Sequence, residues 1–353
     1  MSQVYGLHGI KSPNLSSGIL NQIFEDRFVF EEGAYRAYVT DEKTNIDQKD
    51  IQKMKKQNTL KKEYKFSGKG LHSGRPVTMT LKPAPVNTGI RFVRTDIGPD
   101  ATVDALAENV SSTARSTTIS SGEATVGTIE HLLSALTGLG VDNVIVDIDS
   151  AEVPILDGSA KPYVEAIAPD GLAEQDAPRH YVTLKETVEY KNPGTGAFLR
   201  IEPADTFSYD ITIDFNSRVL GVQSARFDAG TDYIREISAC RTFCFFHEVE
   251  YLLANNLIKG GDVDNALVIV EYPITVEQLK NVCSHIGKPE LKVKDGYLNE
   301  SLHFDNECAR HKLLDLIGDL RLTGGFLQAK VTAYKSGHTI NTAVAKVIRE
   351  KIK

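Results

Sequence analysis

The sequence lacks both a long apolar run and a secretory leader. Its 353 residues are 41% hydrophobic and 25% charged, an ordinary balance for a soluble globular protein. A helix that spans a membrane needs about 20 consecutive apolar residues, so spanning helices are excluded and membrane contact is at most peripheral. The chain does not open with a basic region followed by an apolar core. We therefore expect a cytoplasmic protein.

Cysteine is scarce. The chain has four cysteines, Cys240, Cys244, Cys283 and Cys308. Their spacing shows no paired framework, which fits a reducing compartment and argues against a disulfide scaffold. They are also too few for a closed structural zinc site, because Cys308 and His311 have no cysteine pair to complete four ligands.

An excess of positive charge is missing as well. The net charge is −7 at pH 7, whereas nucleic-acid binding needs a basic surface that neutralises phosphates. We therefore expect no nucleic-acid partner, although this charge is compatible with a local basic pocket for one diphosphate. The lysine-rich stretch at residues 53–62 is interpreted as a solvated linker and strand start.

The first part of the chain differs from the rest. Residues 1–57 combine a predicted short helix at 19–24, a predicted strand at 34–39 and a polar run at 41–57. We interpret them as an N-terminal appendage, and their pattern indicates no particular function.

Residues 58–170 predict a first domain of strands and helices. Alternating apolar residues on either side of a glycine-rich turn at 68–74 predict a pair of strands. Residues 111–118 are too polar for a central strand of a simple core. A helix from Glu130, a buried strand at 141–148 and a short helix at 161–167 complete a β-α-α-β-like unit.

Residues 180–350 predict a second domain. It follows a linker at 168–179, which carries two prolines and a glycine. Alternation at residues 209–215 is the clearest strand signal in the chain. Residues from about 260 to 300 are interpreted as an inserted β-α-β unit.

Residues 306–320 predict an amphipathic helix around which the whole chain is organised. His311, Asp315 and Asp319 are four residues apart, so they share one face of that helix. Such spacing alone is a weak signal, since many helices carry it as a surface contact.

A second stretch is similar to this helix. Residues 129–138 read I-E-H-L-L-S-A-L-T-G, and residues 310–318 read R-H-K-L-L-D-L-I-G. When His131 is laid on His311, two leucines and a glycine also coincide. We infer two related halves of an α+β protein, whose helices meet around a shared site.

Two histidines and one aspartate form a minimal open zinc site in which water completes the tetrahedron. The predicted ligands are His131, His311 and Asp315. The alternative for His131 is a helix histidine that is satisfied by a neighbouring residue.

An acid and a base are predicted beside these ligands. Glu130 projects about 100° round the helix from His131, so it can approach the same water as a general base without binding the metal. The alternative is an exposed glutamate in a helix's first turn. His338 follows the last strand in a glycine loop, where Asp319 could hold it protonated as an acid. Otherwise Asp319 is a polar helix end.

Five motifs, in order, carry a resemblance to a known family. They are residues 128–136 (T-I-E-H-L-L-S-A-L), 157–159 (D-G-S), 241–243 (R-T-F), 310–320 (R-H-K-L-L-D-L-I-G-D-L) and 333–338 (A-Y-K-S-G-H). From about residue 59 to residue 352 the chain resembles the bacterial UDP-3-O-acyl-N-acetylglucosamine deacetylases, which carry out the committed step of lipid A synthesis. The resemblance implies two β-α-α-β sandwich domains packed with their helices inward around zinc, each with an insert.

The resemblance also implies a reaction, the removal of acetate from UDP-3-O-(3-hydroxyacyl)-N-acetylglucosamine. His131, His311 and Asp315 would bind Zn²⁺, Glu130 would take a proton from water, and the enzyme would work in the cytoplasm or peripherally at the inner membrane face.

Further roles follow from the same resemblance. His338, oriented by Asp319, would protonate the departing amine, and Thr242 would help zinc to stabilise the oxyanion. The implied substrate contacts are His72, Phe243, Lys312 and Lys335. The insert would wall an apolar passage for the acyl chain.

The chain departs from the family in two respects. The first 57 residues have no counterpart in the family's usual start. Some members carry a dehydratase domain after the deacetylase, and this chain ends at Lys353, where that fusion would begin.

Two other function classes are a catalytically idle nucleotide-sugar-binding or regulatory protein and a structural zinc protein. An acid and base beside the metal ligands argue against the first, and too few cysteines against the second.

Overall fold

A computed structural model describes residues 55–255, 257–288, 290–298 and 301–352. The helix and the strand predicted at 19–24 and 34–39 lie outside the described residues. Among the described helices, none combines the length and the apolar character that crossing a membrane requires.

Residues 55–178, here called the first half, are mostly strands. The strands are β1 (Lys56–Leu60), β2 (Tyr64–Lys69), β3 (Pro76–Pro83), β4 (Ile90–Arg94), β5 (Thr102–Asp104), β6 (Val110–Ser112), β7 (Thr118–Ser121), β8 (Ala124–Val126), β9 (Val144–Ile148) and β10 (Leu172–Pro178). The helices are α1 (Glu130–Leu139) and α2 (Lys161–Ile167), and 3-10 turns cover Ala107–Asn109 and Ala168–Asp170.

The main sheet of the first half has the order β2-β3-β9-β4-β5. Only the β4–β9 pair is parallel among these neighbours. Alternate residues of β3, Val77, Met79 and Leu81, are buried, as the period of a half-buried strand requires. The polar stretch at 111–118 is not part of this sheet, because β6, β7 and β8 form a small sheet of their own.

The linker prediction for residues 168–179 is wrong over most of its length. Residues 172–178 form β10, which pairs antiparallel with β1. The prolines that suggested a linker do not interrupt this ladder, because Pro169 lies in the 3-10 turn and Pro178 is the last strand residue.

Residues 179–352, here called the second half, hold the longer helices. The strands are β11 (Tyr181–Thr183), β12 (Val188–Lys191), β13 (Phe198–Pro203), β14 (Ser208–Asp214), β15 (Val222–Asp228), β16 (Phe243–Phe245), β17 (Leu267–Ile269), β18 (Val293–Lys294), β19 (Tyr297–Leu298) and β20 (Phe326–Tyr334). The helices are α3 (Tyr233–Glu236), α4 (Phe246–Ala254), α5 (Val276–Ile286), α6 (Glu307–Arg321) and α7 (His338–Ile352).

The main sheet of the second half has the order β12-β13-β20-β14-β15, with β11 also paired to β20. The alternation predicted at 209–215 is confirmed in β14, where Tyr209, Ile211 and Ile213 are buried. Strand β15 was not predicted. Only Phe227 is buried along it, so it lacks the apolar alternation by which a strand is recognised.

The predicted insert has its own sheet and its own small core. The sheet order is β16-β17-β19-β18, and Phe246, Val268 and Val282 are among the residues of a separate apolar cluster. Because β16 is its first strand, this sheet begins at Phe243, well before residue 260.

The two halves share one sheet topology. In each main sheet the central strand, β9 or β20, is antiparallel to one neighbour and parallel to the other, and the outer pairs are antiparallel. Helices α1 and α6 precede these central strands and pack against each other. Their contact is close, since a Cβ on Gly318 would lie 2.0 Å from the carbonyl oxygen of Glu130. The α+β class and the inward helices are confirmed.

Candidate metal centre and acid-base site

The three predicted ligands meet between the two central helices. His131 is the second residue of α1, while His311 and Asp315 are one turn apart on α6. Asp315 Oδ1 lies 3.5 Å from His131 Nε2 and 3.4 Å from His311 Nε2. All three residues are buried, and one ligand atom from each lies within 4.8 Å of the others. The halves therefore bring one donor set together.

The His311 ring is held as a neutral donor of a lone pair. Its Nδ1 lies 3.0 Å from the carbonyl oxygen of Cys240, which can only accept, so Nδ1 carries the hydrogen and Nε2 is free to bind a metal. Burial is the main cause that lowers the pKa of His311 to about 3. A neutral imidazole is the form that ligates.

Asp315 presents one oxygen to the same space. Burial opposes its ionisation, yet His311 and Lys312 hold the pKa of its carboxyl well below the ordinary value. Lys312 Nζ donates to Oδ2 over 2.8 Å, whereas the buried Oδ1 has no hydrogen-bond partner. A buried acceptor left without a donor is costly, so an ion between Oδ1 and the imidazoles fits these residues.

Glu130 is buried beside the ligands, so the alternative of an exposed glutamate is wrong. It is only 3% exposed, and burial raises the pKa of its carboxyl. Its Oε2 accepts from the backbone N–H of Thr117 over 3.0 Å. Its Oε1 lies 3.9 Å from His338 Nε2. A carboxylate with one oxygen anchored and a raised pKa has the properties of a general base.

His338 and Asp319 form a buried pair. His338 Nδ1 lies 2.9 Å from Asp319 Oδ2. Burial disfavours the imidazolium, but the carboxylates of Asp319, Glu130 and Asp315 outweigh it and raise the pKa of His338 to about 9. The alternative of Asp319 as a polar helix end is therefore wrong. The glycine loop that was predicted to hold His338 ends at Gly337, because His338 is the first residue of α7.

A buried ion pair fixes the segment that carries Thr242 and Phe243. Arg241 donates from Nε to Glu307 Oε1 over 2.9 Å and from Nη2 to Oε2 over 3.1 Å. Glu307 begins α6, one turn before His311. The Phe243 ring then lies edge-on to the His311 ring, with centroids 6.1 Å apart.

Glu152 holds the glycine-rich turn against the site. Burial opposes its ionisation, but hydrogen bonds from His72 and Ser73 lower the pKa of its carboxyl. It accepts from the backbone N–H groups of both residues over 2.9 Å and from Thr128 Oγ1 over 3.1 Å. His72 Nε2 is buried without a hydrogen-bond partner. This ring is therefore available to a ligand.

A cavity of about 200 Å³ joins these groups. Nine predicted residues line it: His72, Glu130, His131, Thr242, Phe243, His311, Lys312, Asp315 and His338. Asp319 lies behind His338 rather than on the wall. Lys335 does not line the cavity either, and its Nζ lies 3.0 Å from Asp214 Oδ2.

Several residues of the site were not predicted. Other lining residues include Arg115, Phe215, Phe245 and Glu248, and Arg115 Nη2 lies 3.6 Å from Glu248 Oε1. Thr117 contacts both Glu130 and Asp319. The one sequence signal for Thr117 was the unusual polarity of residues 111–118.

The sequence matches the protein-family profile described as LpxC: UDP-3-O-acyl N-acetylglycosamine deacetylase over residues 57–282 and 291–350.

Comparison with curated proteins gives two kinds of relative. A bifunctional enzyme LpxC/FabZ of Porphyromonas gingivalis is 44% identical over 85% of this chain and 65% of its own length. A UDP-3-O-acyl-N-acetylglucosamine deacetylase of Teredinibacter turnerae is 41% identical over 85% of this chain and 91% of its own length. The UDP-3-O-acyl-N-acetylglucosamine deacetylase of Pseudomonas entomophila is 43% identical over 82% of this chain and 88% of its own length. The matched part thus spans less than two thirds of the P. gingivalis relative.

Proposed function

Because this chain belongs to the LpxC family of UDP-3-O-acyl N-acetylglycosamine deacetylases, we propose that it hydrolyses the N-acetyl group of UDP-3-O-(3-hydroxyacyl)-N-acetylglucosamine. The products are acetate and the free amine, and the step commits the sugar to lipid A. The observation that supports this most is the convergence of His131, His311 and Asp315 beside a buried carboxylate and a buried imidazole.

Zn²⁺ is the proposed metal. Zinc bonds to nitrogen and oxygen are about 2.0–2.2 Å long, so two tetrahedral ligands lie roughly 3.3–3.6 Å apart. The separations of Asp315 Oδ1 from the two imidazole nitrogens, 3.5 and 3.4 Å, agree with this spacing. When bound, the ion would polarise the amide carbonyl and make water more acidic.

Glu130 is the proposed general base. The attacking water gives its proton to the carboxylate, and the water oxygen bonds to the carbonyl carbon of the acetyl group. The backbone N–H of Thr117 keeps Oε2 in place, which leaves Oε1 to take the proton. Thr242, which lines the same cavity, would donate its hydroxyl to the oxyanion.

His338 is the proposed acid. Asp319 accepts from Nδ1 and favours the protonated ring, so Nε2 can give a proton to the amine nitrogen as the carbon–nitrogen bond breaks. The proton that Glu130 gained and the one that His338 lost balance the overall hydrolysis.

The remaining site residues are proposed to bind substrate. His72 offers an unpartnered ring nitrogen, and Lys312 offers an ammonium close to Asp315. Phe243 would pack on the sugar, and Lys335 would approach the charged groups from outside the cavity. The insert would contact the acyl chain.

Domain organisation and location are also proposals. We assign residues 58–170 and 180–350 to two domains, with residues 1–57 as an appendage. A cytoplasmic location, with peripheral contact at the inner membrane face, is supported by four unpaired cysteines. A dehydratase domain, which the family resemblance implies for some members, is a candidate partner, and the relative named as a bifunctional LpxC/FabZ enzyme supports it.

Acetate release from the acylated UDP-sugar tests the function. Turnover by the purified full chain should stop on chelation and return with Zn²⁺. Asp315→Ala should lose both bound metal and turnover, because a buried ligand oxygen is removed. Full turnover without any divalent ion, or binding of the UDP-sugar with no acetate release by the zinc-loaded protein, would contradict the proposal.

A further inference from the structure

Thr117 stands at the junction of the acid and the base. It is fully buried, immediately before β7 in the first half. Its backbone N–H donates to Glu130 Oε2 over 3.0 Å. Its hydroxyl donates to Asp319 Oδ1, 202 positions away on α6, over 2.6 Å. The hydroxyl oxygen is also 3.3 Å from His338 Nδ1.

We propose that Thr117 is a positioning residue that holds the base Glu130 and the Asp319–His338 pair at a fixed separation. This inference rests on the proposed function, because it assigns Thr117 to the proton transfers of that reaction. Thr117 itself does not line the cavity and would not touch the substrate.

The contacts of Asp319 carry the argument. Its Oδ2 accepts from His338 Nδ1 and from Asn341 Nδ2, each over 2.9 Å. Its Oδ1 accepts from the Thr117 hydroxyl. The hydroxyl is thus the donor that fixes Oδ1, and with it the plane of the carboxylate. A fixed carboxylate fixes the imidazole that it holds, since the ring follows its hydrogen-bond partner.

The geometry of His338 shows why this plane matters. With Nδ1 committed to Asp319, Nε2 points toward the cavity, 3.9 Å from Glu130 Oε1 and 3.9 Å from Asp315 Oδ2. A rotation of the Asp319 carboxylate would turn Nε2 away from the amine. Proton transfer depends steeply on such alignment.

Thr117 contacts Glu130 through its backbone N–H and Asp319 through its hydroxyl. A substitution can therefore remove the second contact and keep the first. Thr117→Val keeps the shape of the side chain and the N–H bond to Glu130, but removes the hydroxyl from Asp319. Thr117→Ser restores the hydroxyl. Thr118→Val, at the next residue, is the matched control because it removes a hydroxyl that bonds neither Glu130 nor Asp319.

Steady-state kinetics of acetate release give the first readout. We expect Thr117→Val to lower kcat by about 10–100-fold, the usual range for outer-shell partners, with KM changed less than about twofold and bound zinc retained. Thr117→Ser should recover most of the loss, and Thr118→Val should match the wild type. In Asp319→Asn, adding Thr117→Val should cost little more, because both changes act through one carboxylate. Equal losses in Thr117→Ser and Thr117→Val, or additive effects with Asp319→Asn, would overturn the proposal.

A second readout does not depend on turnover. In the full chain labelled with ¹⁵N-histidine, the Nδ1–H signal that disappears in His338→Gln should shift or broaden in Thr117→Val and return in Thr117→Ser. An unchanged signal in Thr117→Val would reject the positioning role. If wild-type protein releases no acetate while this signal responds as expected, the proposed function fails, and only the hold of Thr117 on the Asp319–His338 pair stands.

Discussion

The two halves of the molecule have the same sheet order and direction, yet they carry different chemistry. When His131 is laid on His311, Glu130 coincides with Arg310. The later carboxylates of α6, Asp315 and Asp319, coincide with Ala135 and Leu139. The frame is therefore repeated, whereas the proposed base comes from one half and the carboxylate ligand and the proposed acid pair come from the other.

Arg310, at the position equivalent to Glu130, makes structural contacts. Its Nη1 donates to the carbonyl oxygen of Glu236 over 2.8 Å, and its guanidinium lies 4.3 Å from the centre of the Phe304 ring. These contacts hold α6 to its neighbours, and Arg310 does not line the cavity. A shared helix position thus lines the cavity in one half and serves packing in the other.

The largest expected effect contrasts Glu130 with Arg310. Glu130→Gln should lower kcat for acetate release by about 10²–10⁴-fold, the usual contribution of a general base, while bound zinc stays near stoichiometric. Arg310→Gln, at the equivalent position, should change kcat by less than about tenfold. Steady-state kinetics and elemental analysis of the metal measure both. Loss of zinc in Glu130→Gln would make Glu130 a ligand instead.

The next contrast concerns one buried carboxylate in each half. Glu307→Gln should lower the free energy of unfolding by about 3–5 kcal/mol, because it leaves Arg241 buried without its counterion. Glu152→Gln should cost about 1–3 kcal/mol, since its partners are neutral donors. Urea denaturation at pH 7 measures both. If Glu152→Gln lost as much stability as Glu307→Gln or more, the charge of the partner would not determine the cost of losing the carboxylate.

The difference in stability between the wild type and each of these two variants should depend on pH. Burial opposes ionisation of both carboxyls, but hydrogen bonds lower both pKa values below 4.5. A lowered carboxyl pKa stabilises the fold above pH 4.5 and this contribution is lost as the pH falls through the folded-state pKa. The wild type should therefore approach each variant in stability as the pH drops below 4.5. A gap that stays constant would show that ionisation plays no part.

The smallest contrast concerns the two aligned glycines. A Cβ on Gly318 would meet the backbone of Glu130 at 2.0 Å, whereas one on Gly138 would meet the Tyr233 ring at 2.2 Å. Both alanine variants should lose about 1–3 kcal/mol of stability from overpacking. A ring can shift where a backbone carbonyl cannot, so Gly318→Ala should lose more and should also lower kcat. Thermal unfolding and kinetics test this, and equal effects would mean that α1 and α6 separate freely.

Helical spacing, together with the similarity of two helices, was sufficient to predict that His131, His311 and Asp315 converge. It was not sufficient for the end of the chain. His338, Thr339 and Ile340 are weak helix formers, so His338 was predicted to lie in a loop although it begins α7. Thr117 acts on a residue 202 positions away. Periodicity within one element contains no information on such a contact.

The three residues of strand β16 belong both to the candidate site and to the sheet of the insert. It starts at Phe243, beside the His311 ring, and is also the first strand of the insert's sheet, where Phe243 pairs with Leu267. Exchanging the insert for that of a relative would therefore replace a neighbour of His311. A chimera that slips this pairing by one residue would turn the aromatic ring away from His311, so such an exchange must conserve the register between β16 and β17.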